Sequence, residues 1–280
     1  MAPTGLRNHP SMDTPPSPLA AVGSRTPMRV AVLLTLISML GLSLCAEVCN
    51  PTDLQGPYGF QLSGETTISG QSKPVANIGR LVLAGDGGIS GYSTVMFDGY
   101  LLGNPVTGTY EARWDCTIAW SLQDDSGSFQ HFSGVATSRG RKVSFRQTDP
   151  GGAQRGTMGR TSPQCTAADL RNEYAFTLSG GTIPMVPGGA SSTVNAKGLI
   201  KAVENAGFKL ALGDNSAAMT DVAITVSAEC IVEIELTLPA MGAGTTIPTM
   251  LRGVLIDDGK QILAIETDPG AMVSATFTAH

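Results

Sequence analysis

The sequence predicts an all-β protein built as two tandem antiparallel domains, each a seven- to eight-stranded up-and-down barrel, with a β-sandwich as the alternative. Three observations predict it: a whole-domain internal repeat, a period-two alternation of apolar and polar residues with no sustained helical period, and turn residues at regular spacing. The stretch Cys49 to Gly64, CNPTDLQGPYGFQLSG, is written again at Cys165 to Gly180, CTAADLRNEYAFTLSG. Cys49/Cys165, Asp53/Asp169, Leu54/Leu170, Tyr58/Tyr174, Phe60/Phe176, Leu62/Leu178, Ser63/Ser179 and Gly64/Gly180 recur in register. An offset of more than a hundred residues is too long for a solenoid repeat and suits a whole domain.

The strands follow in order. Tyr58, Phe60 and Leu62 share one parity against Gln61 and Ser63, which marks a half-buried strand, and Tyr174, Phe176 and Leu178 keep its phase. Ile78 to Ala84 and Ile89 to Phe97 flank Gly85-Asp86-Gly87-Gly88, a hairpin signal answered by Glu204-Asn205-Ala206-Gly207 in the second copy. From Thr109 to Leu122 the residues Tyr110, Ala112, Trp114, Cys116, Ile118, Trp120 and Leu122 occupy one parity, which is expected to face the core. Val222, Ile224, Val226, Cys230, Val232, Ile234, Leu236 and Leu238 match it. This segment is either one long strand or two strands joined by a tight turn near Asp115 and Glu229. Asp124-Asp125-Ser126-Gly127 turns the chain again, and strands are expected over Ser128 to Thr137, Lys142 to Thr148 and Gln154 to Thr161. The turn Thr148-Asp149-Pro150-Gly151 reappears as Thr267-Asp268-Pro269-Gly270. A first cysteine that precedes its strand, with no tryptophan until Trp114, argues against an immunoglobulin-like sandwich.

Residues 1–27 read as an upstream extension and 28–45 as a secretory signal, because Arg29 precedes the uncharged apolar run Val30 to Cys45. Cleavage is expected near Cys45/Ala46, leaving domains over 46–162 and 163–280 and no membrane span. A lipid anchor or an uncleaved signal anchor is the minor alternative to a secreted or periplasmic chain. Four cysteines then remain, two per copy at nearly equal spacing, and the duplication favours the pairs Cys49–Cys116 and Cys165–Cys230. Each bridge would stabilise its domain by roughly 4 kcal/mol on the chain-entropy model. Zinc would need close cysteine pairs, and there are none.

Cys, then Leu, then Tyr-x-Phe-x-Leu-x-Gly, with Gly79-Arg80-Leu81, Gly108-Thr109-Tyr110, Asp115-Cys116 and a closing Thr-Asp-Pro-Gly, resembles a signature of secreted bacterial proteins that carry no assigned activity. The likeness is fuller over Cys49 to Arg160 than over Cys165 to His280. In general shape the copies are similar to small calycin-type barrels, and that resemblance implies an apolar ligand or, occasionally, isomerisation chemistry.

Little in the chain suggests catalysis. A net charge of -5 provides no basic footprint for nucleic acid. With only His131 and His280 beyond the signal, no histidine triad or multi-histidine metal site can be assembled, and neither a cofactor nor a catalytic residue is expected. Asp124-Asp125 and Asp257-Asp258 read as turn residues, since a calcium loop needs ligands spaced along it. Aromatic residues gather in the first copy, so Tyr110, Trp114 and Trp120 are the candidate ligand-binding residues. The leading reading is a non-enzymatic binding or surface-associated module, in its sharper form holding a small hydrophobic ligand in the first domain. An isomerase or cyclase using Tyr110 and His131 is the second reading, and a structural or adhesive envelope protein the third. Nothing in the sequence sets the oligomeric state.

Overall fold

The computed structural model describes residues 49–68, 70–125, 127–212, 220–239 and 246–280; the expected upstream extension and the expected signal, residues 1–45, lie outside the described residues. Eight strands form the first barrel: β1 (Gly56–Ile68), β2 (Gln71–Leu83), β3 (Gly88–Phe97), β4 (Tyr100–Ala112), β5 (Thr117–Asp124), β6 (Phe129–Thr137), β7 (Lys142–Gln147) and β8 (Arg155–Arg160). Each pairs antiparallel with the next, and β8 closes on β1 with Phe60 opposite Met158. The second barrel repeats the order: β9 (Glu173–Thr182), β10 (Ser192–Val203), β11 (Gly207–Leu212), β12 (Thr220–Val226), β13 (Ile231–Pro239), β14 (Thr246–Ile256), β15 (Gln261–Glu266) and β16 (Ala271–Ala279). There β16 closes on β9 with Phe277 opposite Phe176. Closure gives each strand a partner on both sides, and eight strands leave an interior that side chains can fill.

The long alternating segment is two strands. Between β4 and β5 the Cys116 amide donates to the Arg113 carbonyl, and Cys116 takes a φ of 68°. Cys230 does the same between β12 and β13, with a φ of 64°. Parity is kept across the turn, so Ile118 and Trp120 face inward with Tyr110 opposite Trp120. Trp114 departs from the expected inward parity. It sits on the turn itself, where strand alternation does not apply, and is 64% exposed.

The repeated opening stretch is the foot of each barrel. In the first, Pro51–Leu54 form one turn of 3-10 helix capped by Asn50, and Leu54 plugs the core with no exposed surface. The Cys49–Cys116 and Cys165–Cys230 bridges tie each foot to the β4–β5 and β12–β13 turns. Tyr58 donates its hydroxyl to the Gly140 carbonyl at 2.6 Å, and Tyr174 donates to that of Gly259 at 2.7 Å. At the opposite end the Thr-Asp-Pro-Gly turns are locked by their aspartates: Asp149 accepts the His131 amide at 2.8 Å, and Asp268 accepts that of Met250 at 3.0 Å.

Each barrel has its own interior core, and a third apolar cluster joins their outer faces. Ala76, Ile78 and Met96 point outward from β2 and β3 and meet Val254, Ile256, Leu263 and Ile265 from β14 and β15. The approach is close because β1 and β8 carry glycines there. A Cβ on Gly59 would lie 2.5 Å from a Val254 methyl, and one on Gly159 would lie 2.7 Å from Ile256 Cδ1. Gln61 reaches across to the carbonyls of Ala264 and Ala275 at 2.5 and 3.0 Å. At the foot, Arg141 spans to Asp258 at 2.6 Å and to Asp257 at 3.1 Å. Burying one aliphatic side chain contributes roughly 1.5–3 kcal/mol against about 0–1 for an exposed ion pair, so the apolar seam holds the barrels together.

Candidate ligand cleft between the barrels

The first barrel is packed with its own side chains. Trp120 stacks on Phe132 with centroids 5.5 Å apart and meets Phe145 edge-on at 4.9 Å. Spaces among its described side chains measure about 50 Å³ near the β5–β6 end and about 10 Å³ beside the aromatic cluster. Small-molecule sites commonly need roughly 300 Å³ or more. The larger space is walled partly by Asn77, whose Oδ1 is buried without a partner, and by the buried Ser93. A site of that size and polarity suits water rather than an apolar ligand.

The three sequence-predicted ligand residues occupy different surroundings. Trp120 is a core residue, 5% exposed, and Trp114 stands in solvent on the turn. Tyr110 packs at the edge of the core and donates its hydroxyl to the Ala84 carbonyl at 2.8 Å. Burial, and then the Asp86 carboxylate, raise that hydroxyl above its ordinary value. Only Tyr110 and Trp120 are neighbours, opposite each other on β4 and β5. His131 points away from them on the outer side of β6, since Phe132 takes the inward position. Its Nδ1 lies 2.7 Å from Asp149 Oδ1, and hydrogen bonding to the His131 backbone and ring holds that carboxyl below its usual range despite partial burial. No group of three or more metal-ligating side chains occurs among the described residues.

A concavity lies between the barrels. It measures about 630 Å³ and is walled by Arg80 and Tyr92 on the first barrel and by Thr225, Glu229, Glu233 and Arg252 on the second. The walls follow from register. Arg80 and Tyr92 are opposed on the outward parity of β2 and β3, as Glu233 and Arg252 are on β13 and β14. The apolar seam between the barrels continues this outward parity, so two convex walls meet at the seam and diverge into a trough. Tyr92 is 41% exposed and lies across Gly103, where a Cβ would fall 2.1 Å from its hydroxyl oxygen. The Arg252 guanidinium sits 5.9 Å from the Tyr92 ring centroid and 3.6 Å from Glu233 Oε1. Arg80 donates to the Pro163 carbonyl at 3.1 Å, while its Nε is buried without an acceptor. Burial lowers the Arg80 guanidinium from its ordinary value, and Glu229 opposes that shift.

Arg80 appears in the sequence only as part of the Gly79-Arg80-Leu81 signature and Glu229 only as a turn residue, and none of these wall residues is expected from the sequence to bind a ligand. They carry the polar parity of their strands, and polar outward residues read as solvated surface until a second barrel is placed against them. The available signal was in β14 and β15, where Val254-Leu255-Ile256 and Ile262-Leu263-Ala264-Ile265 are apolar on both parities, as strands covered on both faces are.

No protein-family model and no curated protein matches the chain. Among solved structures, transferrin binding protein B from serogroup B Neisseria meningitidis aligns over 79% of this chain and 75% of its own, at 8% identity and a TM-score of 0.28. A transferrin binding protein B mutant from Haemophilus parasuis Hp5 covers the same shares at 8% identity and 0.29. A porin-like protein from Bacteroides uniformis aligns over 84% of this chain and all of its own, at 8% identity and 0.19. Scores this low leave function to be argued from the chain's own residues.

Proposed function

We propose that this chain is an extracytoplasmic, non-enzymatic binding protein whose ligand lies in the cleft between its two barrels. The carrying observation is the trough itself: about 630 Å³, within the range of small-molecule sites, with an exposed tyrosine and two arginines convergent on it. Two disulfides accord with folding in an oxidising compartment, and no helix among the described residues is long and apolar enough to cross a membrane. The small spaces among the described side chains of the first barrel, about 50 and 10 Å³, favour the seam over the interior as the ligand's place. An isomerase or cyclase built on Tyr110 and His131 has less support, because the barrel wall separates the two side chains.

Native mass spectrometry of protein purified from its own host tests the proposal. The wild type is expected to carry a small-molecule adduct that is absent from Thr225→Trp, a substitution at an exposed position on the cleft wall. An adduct retained unchanged by Thr225→Trp would refute the cleft as its site.

A further inference from the structure

We infer that the cleft recognises a neutral, polyhydroxylated ligand of saccharide type, an inference that rests on the cleft reading above. Charge argues first. Arg80 and Arg252 face Glu229 and Glu233, so the walls carry two formal charges of each sign and exert no net pull on an ion. A carboxylate or phosphate drawn to either arginine would also meet a glutamate, and like charges held close are costly. An apolar ligand would strip water from four charged groups and return no hydrogen bonds.

A sugar avoids both difficulties. Each hydroxyl is at once a donor and an acceptor, so neighbouring hydroxyls can bridge an arginine and the glutamate beside it. The spacing is already set, with the Arg252 and Glu233 polar atoms 3.6 Å apart, and Thr225 and Ser227 add hydroxyls on the same wall.

The aromatic wall supplies the remaining part. Tyr92 is held from behind by the bare backbone at Gly103, while Gly91, next to it on β3, adds no side chain to the trough. A ring fixed in this way is a flat platform for the apolar face of a pyranose, and it costs little rotamer entropy on binding. The buried Arg80 Nε lacks an acceptor, so this arginine is kept at some cost to stability.

Isothermal titration of the purified protein tests this with neutral trisaccharides of glucose, galactose and N-acetylglucosamine, and with trigalacturonate, laurate and an uncharged tripeptide as comparators. At least one neutral trisaccharide is expected to bind. Tyr92→Phe keeps the ring and should retain affinity. Tyr92→Ala should weaken it about tenfold, the scale of one lost stacking contact, and Thr225→Trp should abolish it. Circular dichroism melts of the three variants verify folding, which these exposed positions leave intact. Failure of every neutral trisaccharide at millimolar concentration overturns the saccharide inference, as does binding of a comparator alone. The cleft reading is judged separately. It survives if a comparator, or the adduct copurifying from the host, is displaced by Thr225→Trp, and it falls if nothing that binds responds to that substitution.

Discussion

Tyr58 donates its hydroxyl to the carbonyl of Gly140 at 2.6 Å, from a side chain with no exposed surface, and so fastens the first barrel's foot to the β6–β7 turn. Burial pushes that hydroxyl up to about 12, against the pull of the Arg160 guanidinium 5.1 Å from the ring centroid. Tyr174 and Gly259 repeat the bond in the second barrel. Tyr58→Phe and Tyr174→Phe each leave a buried carbonyl without its donor and should cost about 1–2 kcal/mol. Because the two feet serve separate cores, the double variant should lose close to the sum. Urea titrations followed by circular dichroism check both the size and the additivity.

The tryptophans provide a direct optical check. Trp114 and Trp120 are the only two in the chain, one on an exposed turn and one inside the aromatic cluster. Iodide should therefore quench about half of the emission. In Trp120→Phe the remaining signal should be red-shifted and fully quenchable; in Trp114→Phe it should be blue-shifted and protected. Equal quenching of the two single-tryptophan proteins would contradict the turn between β4 and β5.

Gly59 tests the docking of the barrels. Its φ lies outside the left-handed region, so a larger residue is tolerated by the backbone, but a Cβ there would strike Val254 and Ile256. Gly59→Val should prise the seam apart and leave both interior cores formed. Small-angle scattering should show a larger radius of gyration with unchanged far-ultraviolet circular dichroism, and any ligand bound in the cleft should be lost. Arg141→Ala removes only the half-exposed guanidinium's ion pairs to Asp257 and Asp258 and should shift stability by about 1 kcal/mol or less.

How much was legible follows from which residues report locally. The Tyr-x-Phe-x-Leu parity, the paired cysteines and the Thr-Asp-Pro-Gly turns each act within one hairpin or one barrel, and their duplication made the tandem architecture readable. The split at Cys116 was harder, because strand parity survives a four-residue turn and only the positive φ marks the break. Asp149 and Asp268 read as turn residues, whereas their hydrogen bonds to the amides of residues 131 and 250 depend on strand pairing. The cleft was the least visible feature, since Arg80 and Tyr92 gain a role only when β14 and β15 of the other barrel lie against β2 and β3.

Glu266 gives the fold a pH dependence. It ends β15 on the inward parity that Ile262 and Ala264 begin, where the first barrel has the buried amide Gln147. Burial, with a smaller push from the Asp268 carboxylate, raises its carboxyl from 4.5 to about 7. A raised acid binds its proton more tightly in the folded chain than in the unfolded one. The associated stability is therefore fully present below pH 4.5, falls as pH rises through the interval, and is gone above about 7. Discounted for its partly solvated setting, the change should be about 1–2 kcal/mol. Glu266→Gln keeps the shape and removes the titration, so its unfolding free energy should stay flatter between pH 5 and 8 and exceed that of the wild type at the upper end. Guanidinium titrations at pH 5, 6, 7 and 8 measure both curves. If the two proteins lose stability in parallel over that span, Glu266 is not the group responsible.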